Sequence, residues 1–157
     1  MGFDDDDIDN IYLRTGTLYE PKILDHLGVT DRDRQIIIGR LRVNLDGATE
    51  TSVIEVKTFH SSGKVWTPPK HYIQQVNVEM FATDCEMAKI IAYEVNEDDY
   101  EAVSMGNTLP LDESRLHDFV EYRNDEWLED EYLPRLWYLC DCLEKEKLPC
   151  MEDLHLT

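Results

Sequence analysis

Basic residues are scarce in this chain. Fifteen Lys and Arg stand against 34 Asp and Glu in 157 residues, a formal net charge of −19. Such a surplus opposes nucleic-acid binding by the chain as a whole. Long apolar runs are also missing, and none approaches the roughly 20 residues of a membrane span. Met1–Asp9 is acidic rather than basic and then apolar, unlike a secretory leader. A cytoplasmic protein without a membrane partner is therefore expected. Its cysteines, Cys85, Cys140, Cys142 and Cys150, are expected to be reduced thiols. No internal repeat is present.

What is present is enough for a folded globule. Hydrophobic residues make up 42% of the chain, and its length supports an ordinary core without disulfides or a structural metal. We expect an acidic flexible tail over 1–9 and a single domain over 10–157. The charge is unevenly spread. Residues 14–70 hold nine Lys/Arg and seven Asp/Glu, a balance of +2, whereas residues 81–157 hold six and 21, a balance of −15. The mildly basic part is where chemistry is sought, and the acidic half reads as a solvated helix face.

The pattern predicts a helix from about Asn10 to Leu27, stopped at Gly28 and interrupted by Pro21, so that a second helix starts near Thr17–Glu20. Gln35–Asp46 reads as one bent strand or two short ones with Gly39 at the bend, and Thr51–Phe59 as the next strand. A polar loop follows, then Pro68-Pro69 opens a helix to about Thr83. Met87–Val95 reads as a strand and Asp98–Leu109 as irregular or a short strand. Asp112 is the expected N-cap of a long C-terminal helix, kinked or split at Pro134. The order predicts an α/β fold, a small mixed β-sheet flanked by helices.

One stretch concentrates the chemistry. Leu45-Asp46-Gly47 ends one strand, and Glu55-Val56-Lys57 lies on the next. Side chains alternate along a strand, so Val53, Glu55 and Lys57 share one face. Two carboxylates and an ammonium gathered in a sheet are costly unless a cation joins them. Mg2+ takes oxygen ligands and keeps several waters, so Asp46, Glu55 and the backbone carbonyl of Val56 form a sufficient set. Mn2+ is expected to substitute. Phosphodiester hydrolysis needs a nucleophilic water, stabilised phosphoryl oxygens and a leaving alkoxide, and a metal ion serves all three. Lys57 would act as base or simply orient the water. Gln75 on the following helix would hydrogen-bond the water or the lysine, and Glu20 on the first helix would hold a second metal directly or through water.

These residues resemble the PD-(D/E)XK nuclease superfamily, and within it the phage lambda exonuclease and YqaJ-type viral recombinases. Gly16-Thr17-Leu18-Tyr19-Glu20 is similar to the helix carrying the upstream glutamate. Asp46-Gly47 is similar to the metal-binding aspartate and its glycine, and Glu55-Val56-Lys57-Thr58 to the E-x-K motif. Pro69 to Met80, with Tyr72 and Gln75, is similar to the proline, tyrosine and glutamine helix. The family's proline before the aspartate is Leu45 here, and Asn77 stands where a second glutamine is common. The chain is also shorter at its N-terminus than the usual exonuclease. The resemblance implies a restriction-endonuclease-like core and a metal-dependent DNA nuclease. An exonuclease on duplex ends is the first expectation, in a phage-type recombination or repair system with a single-strand annealing protein as partner. The setting would be the bacterial host cytoplasm if the chain is phage-encoded, and a homo-oligomer is compatible.

Arg40, Arg42, Lys64, Lys70 and Tyr72 flank the motifs as candidate DNA contacts. Some relatives in the superfamily hold an iron–sulfur cluster on one upstream and three downstream cysteines. No cysteine precedes Glu20 here, so no cluster is expected. Two alternatives keep the fold: an endonucleolytic or structure-specific DNase, and a non-catalytic acidic interaction protein that mimics DNA.

Overall fold

The computed structural model describes residues 5–154. Five strands form one mixed sheet in sequence order: β1 (Asp31–Ile38), β2 (Leu41–Ala48), β3 (Ser52–His60), β4 (Met87–Val95) and β5 (Leu116–Tyr122). All neighbours are antiparallel except β3 and β4, which run parallel through nine register pairs. Helix α2 (Lys70–Thr83) makes the crossover that a parallel pair requires. Helices α1 (Asp5–Leu27) and α3 (Glu97–Ser104) cover one face, where Tyr19, Ile23, Leu24 and Val103 pack on Ile54, Val56, Ile91, Tyr93 and Val95. On the other face Val76 and Met80 of α2 pack on Leu41, Val43, Leu45, Val53 and Ile90. The C-terminal helical run reaches that second core through Leu136. The result is a restriction-endonuclease-like α/β fold. Among the described residues, no helix is long and apolar enough to cross a membrane.

Strands β3 and β4 and helix α2 lie where the sequence pattern places them, and Gly28 (φ +69°) ends α1 as expected. Four expectations are corrected. Helix α1 is one helix with Pro21 inside it. Pro21 and Thr17, whose carbonyl loses its donor, both face solvent, so water can take the freed acceptor. Burial of Tyr19, Ile23 and Leu24, worth about 1.5–3 kcal/mol each, offsets a proline penalty of about 3. The acidic N-terminal segment is divided, since Asp5–Asp9 belongs to α1 while residues 1–4 lie outside the described residues.

The segment after β4 is helical rather than irregular. Asn96 accepts from the Asp99 N–H and the Asp99 side chain accepts from the Asn96 N–H, a reciprocal capping box that starts α3. Asp112 caps only a short 3-10 turn over Glu113–Arg115, and Leu116–Tyr122 is an edge strand instead of the first turns of a helix. Its half-buried residues alternate with exposed ones, and pairing with β4 supplies the hydrogen bonds a helix would have supplied internally. The helical run begins later, as α4 (Asp125–Trp127), a π segment (Leu128–Tyr132) and α5 (Leu133–Glu144). Pro134 lacks the N–H an α-helix would aim at Asp130, and the turn before it widens accordingly. A last short helix, α6, spans Met151–Leu154. All four cysteines are free thiols.

A buried polar network ties α1, α3 and the turn before β5 (Glu113–Arg115) together. Asp99 is fully buried; it accepts from Tyr19 Oη at 2.7 Å and pairs with Arg115. Burial works against its charge, but the Arg115 hydrogen bond and the Asn96 N–H hold its carboxyl below the usual aspartate range. Its contribution is therefore complete above the ordinary aspartate pKa and lost as pH falls through the lower folded value. Asp99→Ala, which takes from Arg115 its buried carboxylate partner and removes half of the α3 capping box, is expected to cost about 3 kcal/mol in urea unfolding at neutral pH. A difference that does not shrink below about pH 4 would contradict this account.

Candidate active site

Strand β3 positions the first two groups. Val53 belongs to the α2-side core and Ile54 and Val56 to the α1-side core, so Glu55 and Lys57 project toward α2. Helix α2 answers with Gln75 and Glu79, one turn apart on one helix face. Gln75 Nε2 donates to Glu55 Oε1 at 2.7 Å and to Glu79 Oε1 at 2.8 Å, while its Oε1 accepts from Lys57 Nζ at 3.3 Å. Lys57 Nζ also meets Glu55 Oε1 at 2.7 Å and lies 4.5 Å from the centroid of the Tyr72 ring. The amide is thus held by three partners. Gln75, not the adjacent Gln74, makes these contacts.

Asp46 arrives by an irregularity in β2. Leu41, Val43, Leu45 and Ala48 all join the α2-side core, yet a Cβ built on Gly47 would meet Val29 and Leu24 of the opposite core at 2.8 and 3.1 Å. The alternation of faces therefore slips at Asp46. Opposite it in register stands Asp33, in the left-handed region at φ +51°, between the ladder pairs Arg32↔Gly47 and Arg34↔Leu45. On its other side β2 pairs with β3 only at Gly47↔Ile54 and Ala48↔Val53. Beyond that point Asp46 Oδ2 accepts from the Val56 N–H at 2.9 Å, replacing a ladder partner with a carboxylate. The N–H and C=O of a strand residue leave on the same edge, so the Val56 carbonyl faces the gap that Asp46 fills.

Charge in this cluster is far from balanced. Glu55 and Glu79 are each 2% exposed, and each keeps one Oε2 buried without a hydrogen-bond partner. Burial, then the Asp46 charge, pushes Glu55 up to about 7. Burial, then the Glu55 charge, pushes Glu79 up to about 9. Asp46 is raised by burial against the pull of the Val56 N–H and Lys57. Glu20 is raised by burial and then by Asp46, which places it within electrostatic reach of the cluster. For Lys57 burial disfavours the charge, but Glu55 outweighs it and holds the ammonium above the ordinary lysine range.

Orphaned, buried carboxylate oxygens beside an aspartate and a free carbonyl fit a hard divalent cation. Among the described residues, no three His, Cys, Asp or Glu side chains already converge on one point. Asp46, Glu55 and the Val56 carbonyl would thus supply the protein ligands, with water completing the shell as Mg2+ prefers.

The remaining candidates occupy different positions. Arg42 lines a cavity of about 510 Å3 together with Asp46, Gln75, Glu79 and Tyr132. Arg40, on the β1–β2 turn, is engaged by Glu144 of α5 at 3.5 Å. Lys70 is exposed on the first turn of α2, and Lys64 is exposed on the loop before it. Sequence reasoning missed three residues of this neighbourhood: Glu79, Asp33 and Tyr132. Only Glu79 had a readable signal, its position four residues after Gln75 on one helix face.

In sequence, the chain matches no family model and no curated protein. Its fold is similar to that of a phage-related exonuclease from Haemophilus somnus 129PT, with TM-score 0.58 and 13% identity over 76% of this chain and 65% of that one. It is also similar to the alkaline exonuclease LHK-Exo from Laribacter hongkongensis, with TM-score 0.56 and 19% identity over 86% and 73% of the two chains. The same enzyme in complex with dAMP gives TM-score 0.54 and 18% identity. The chain spans 65% of the length of the Haemophilus protein.

The tight approach at Gly47 fixes the angle at which Asp46 leaves β2. Gly47→Ala would force a methyl against Val29 and Leu24 and is expected to cost about 1–3 kcal/mol, read as a lowered thermal midpoint. An unchanged midpoint would mean that those side chains give way freely.

Proposed function

We propose that the chain is a divalent-metal-dependent DNA nuclease of the PD-(D/E)XK superfamily, related to the lambda exonuclease and YqaJ-type recombinases, and that it digests duplex DNA from its ends. The observation that carries this reading is the junction of β2 and β3. There the Asp46 carboxylate takes the Val56 N–H, and Glu55, Lys57 and Gln75 close around it. The likeness of fold to two exonucleases supports the choice of chemistry.

Asp46, Glu55 and the Val56 carbonyl would hold Mg2+ or Mn2+, and Glu20 stands near for a second ion. When bound, the metal supplies Lewis acidity toward the phosphoryl oxygens and a water of lowered pKa. The protein's own part is positioning. Lys57 spends two of its N–H donors on Glu55 and Gln75 and keeps a third for the attacking water or a phosphate oxygen. Glu55 holds its ammonium above the ordinary lysine range, which favours orienting the water over abstracting from it. Gln75 keeps Glu55 and Lys57 in register, and the Tyr72 ring caps the lysine by a cation–π contact. Arg42, which lines the cavity with the cluster, and Lys70, exposed on the first turn of α2, would bind backbone phosphates. The single strand left by digestion would suit an annealing protein in a phage-type recombination system.

A net charge of −19 favours one competing reading, a non-catalytic acidic docking protein. Cleavage of linear and circular duplex DNA at low salt separates the readings. Mg2+-dependent loss of the linear form, removed by EDTA and lowered at least about 100-fold in Asp46→Ala and Lys57→Ala, is expected, with both variants folded by circular dichroism. Nicking of the circle would make it an endonuclease. Cleavage that persists in either variant would remove the assigned site, and no cleavage despite metal binding would favour the docking protein.

A further inference from the structure

Residues 56–78 contain three lysines, two histidines and no Asp or Glu, the longest acid-free stretch of a chain with 34 acids. The same stretch carries Phe59, Trp66 and Tyr72, and the fold arranges these rings as a path leading away from Lys57. Tyr72 lies under the lysine, Trp66 is 6.3 Å from Tyr72 between centroids, and Trp66 stacks on Phe59 at 4.8 Å with an interplanar angle of 10°. Strand β5 adds Phe119, edge-on to Trp66 at 5.5 Å, and His117, 5.7 Å from Phe59.

Beyond Trp66 the path opens into a cavity of about 490 Å3 whose lining includes Phe59, Lys64, Trp66, Glu94, His117 and Phe119. That volume is in the range of small-molecule sites. A purely structural aromatic cluster would close over itself. This one leaves His117 41% exposed, Val65 beside it 95% exposed, and Lys64 exposed at the lip. The one acid in the lining is already engaged, because Glu94 accepts from Ser61 Oγ at 2.7 Å and faces His117 Nε2 at 3.5 Å.

We infer that this cavity is a stacking site for an unpaired nucleobase of single-stranded DNA, with Lys64 meeting the adjoining phosphate. Aromatic faces bind any base, as an enzyme digesting DNA without regard to sequence requires, and the cationic rim suits the backbone. The inference rests on the nuclease reading, since it is the Glu55–Lys57 cluster that would leave an unpaired strand at this place.

The test uses the whole chain in EDTA, where a metal-dependent nuclease cannot cut. Affinity for oligo(dT) is compared with that for an abasic oligodeoxyribose phosphate of equal length. Stacking is worth about 1–3 kcal/mol per base, so the abasic strand is expected to bind about ten-fold more weakly. Trp66 emission, read in a Trp127→Phe/Trp137→Phe background, is expected to be quenched by oligo(dT) and not by the abasic strand. Trp66→Ala is expected to erase the preference and Trp66→Tyr to restore most of it. Equal affinity for the two strands, or unquenched Trp66 at saturation, would overturn the site. Mg2+-dependent cleavage combined with equal affinity would sink the stacking site alone. Base-dependent, quenching binding without cleavage would support the site and count against the nuclease.

Discussion

The hydrogen bond from the Val56 N–H to Asp46 is the constraint on which the rest of the site depends. A β-ladder normally satisfies every backbone donor with a backbone acceptor. Here a carboxylate does so, and the two strands separate after only two ladder pairs. Without the carboxylate, a buried N–H would be left unpaired or the strands would zip together. The first leaves an orphaned donor at a cost of about 1–3 kcal/mol, and the second closes the opening toward which the Val56 carbonyl points. One bond therefore serves the backbone and also keeps an acid at the mouth of the gap.

The surrounding charges are ones that a core alone would not require. Apolar residues of similar shape would stabilise the fold at least as well as a buried set of carboxylates with one ammonium. Glu55 and Glu79 share a single amide nitrogen of Gln75, and each still has an oxygen with no partner. Among the described residues, buried carboxylate oxygens without a partner occur only here, where α2 faces the sheet. The fully satisfied Tyr19–Asp99–Arg115 network is the contrasting case: there every group is answered, and the role is to hold α1, α3 and the turn before β5 together.

Much of this was legible in the sequence because it is written locally. Alternation along Ser52–His60 places Glu55 and Lys57 on one face, and helical spacing brings Gln75 toward them. Strand β4 is an apolar run bounded by polar residues. What was not legible depends on tertiary structure. Leu116–Tyr122 has residues that suit either a helix stripe or an edge strand, and only the free edge of β4 decides. Pro21 breaks isolated helices, but α1 is held by what Tyr19 and Ile23 bury. Asp33 has no motif; its relation to Asp46 comes from hairpin register and a left-handed backbone. Tyr132 reaches the cavity from a π turn that Pro134 creates in a distant part of the chain.

The net charge, read as a single number, points away from DNA, and the proposed function has to meet that objection locally. Electrostatic attraction is local at ordinary salt, where charges beyond about 8–10 Å are largely screened. On the proposed reading, a polyanion at the cavity beside the cluster would meet Arg42 on β2, with Lys64 and Lys70 exposed in the acid-free segment 56–78. The acids of the site are the exception, and they are those whose repulsion a divalent cation would cancel. On that reading, the carboxylate cluster would oppose a phosphate at the cut site itself until a divalent cation is bound, while the rings of the aromatic path beyond Tyr72 carry no such charge.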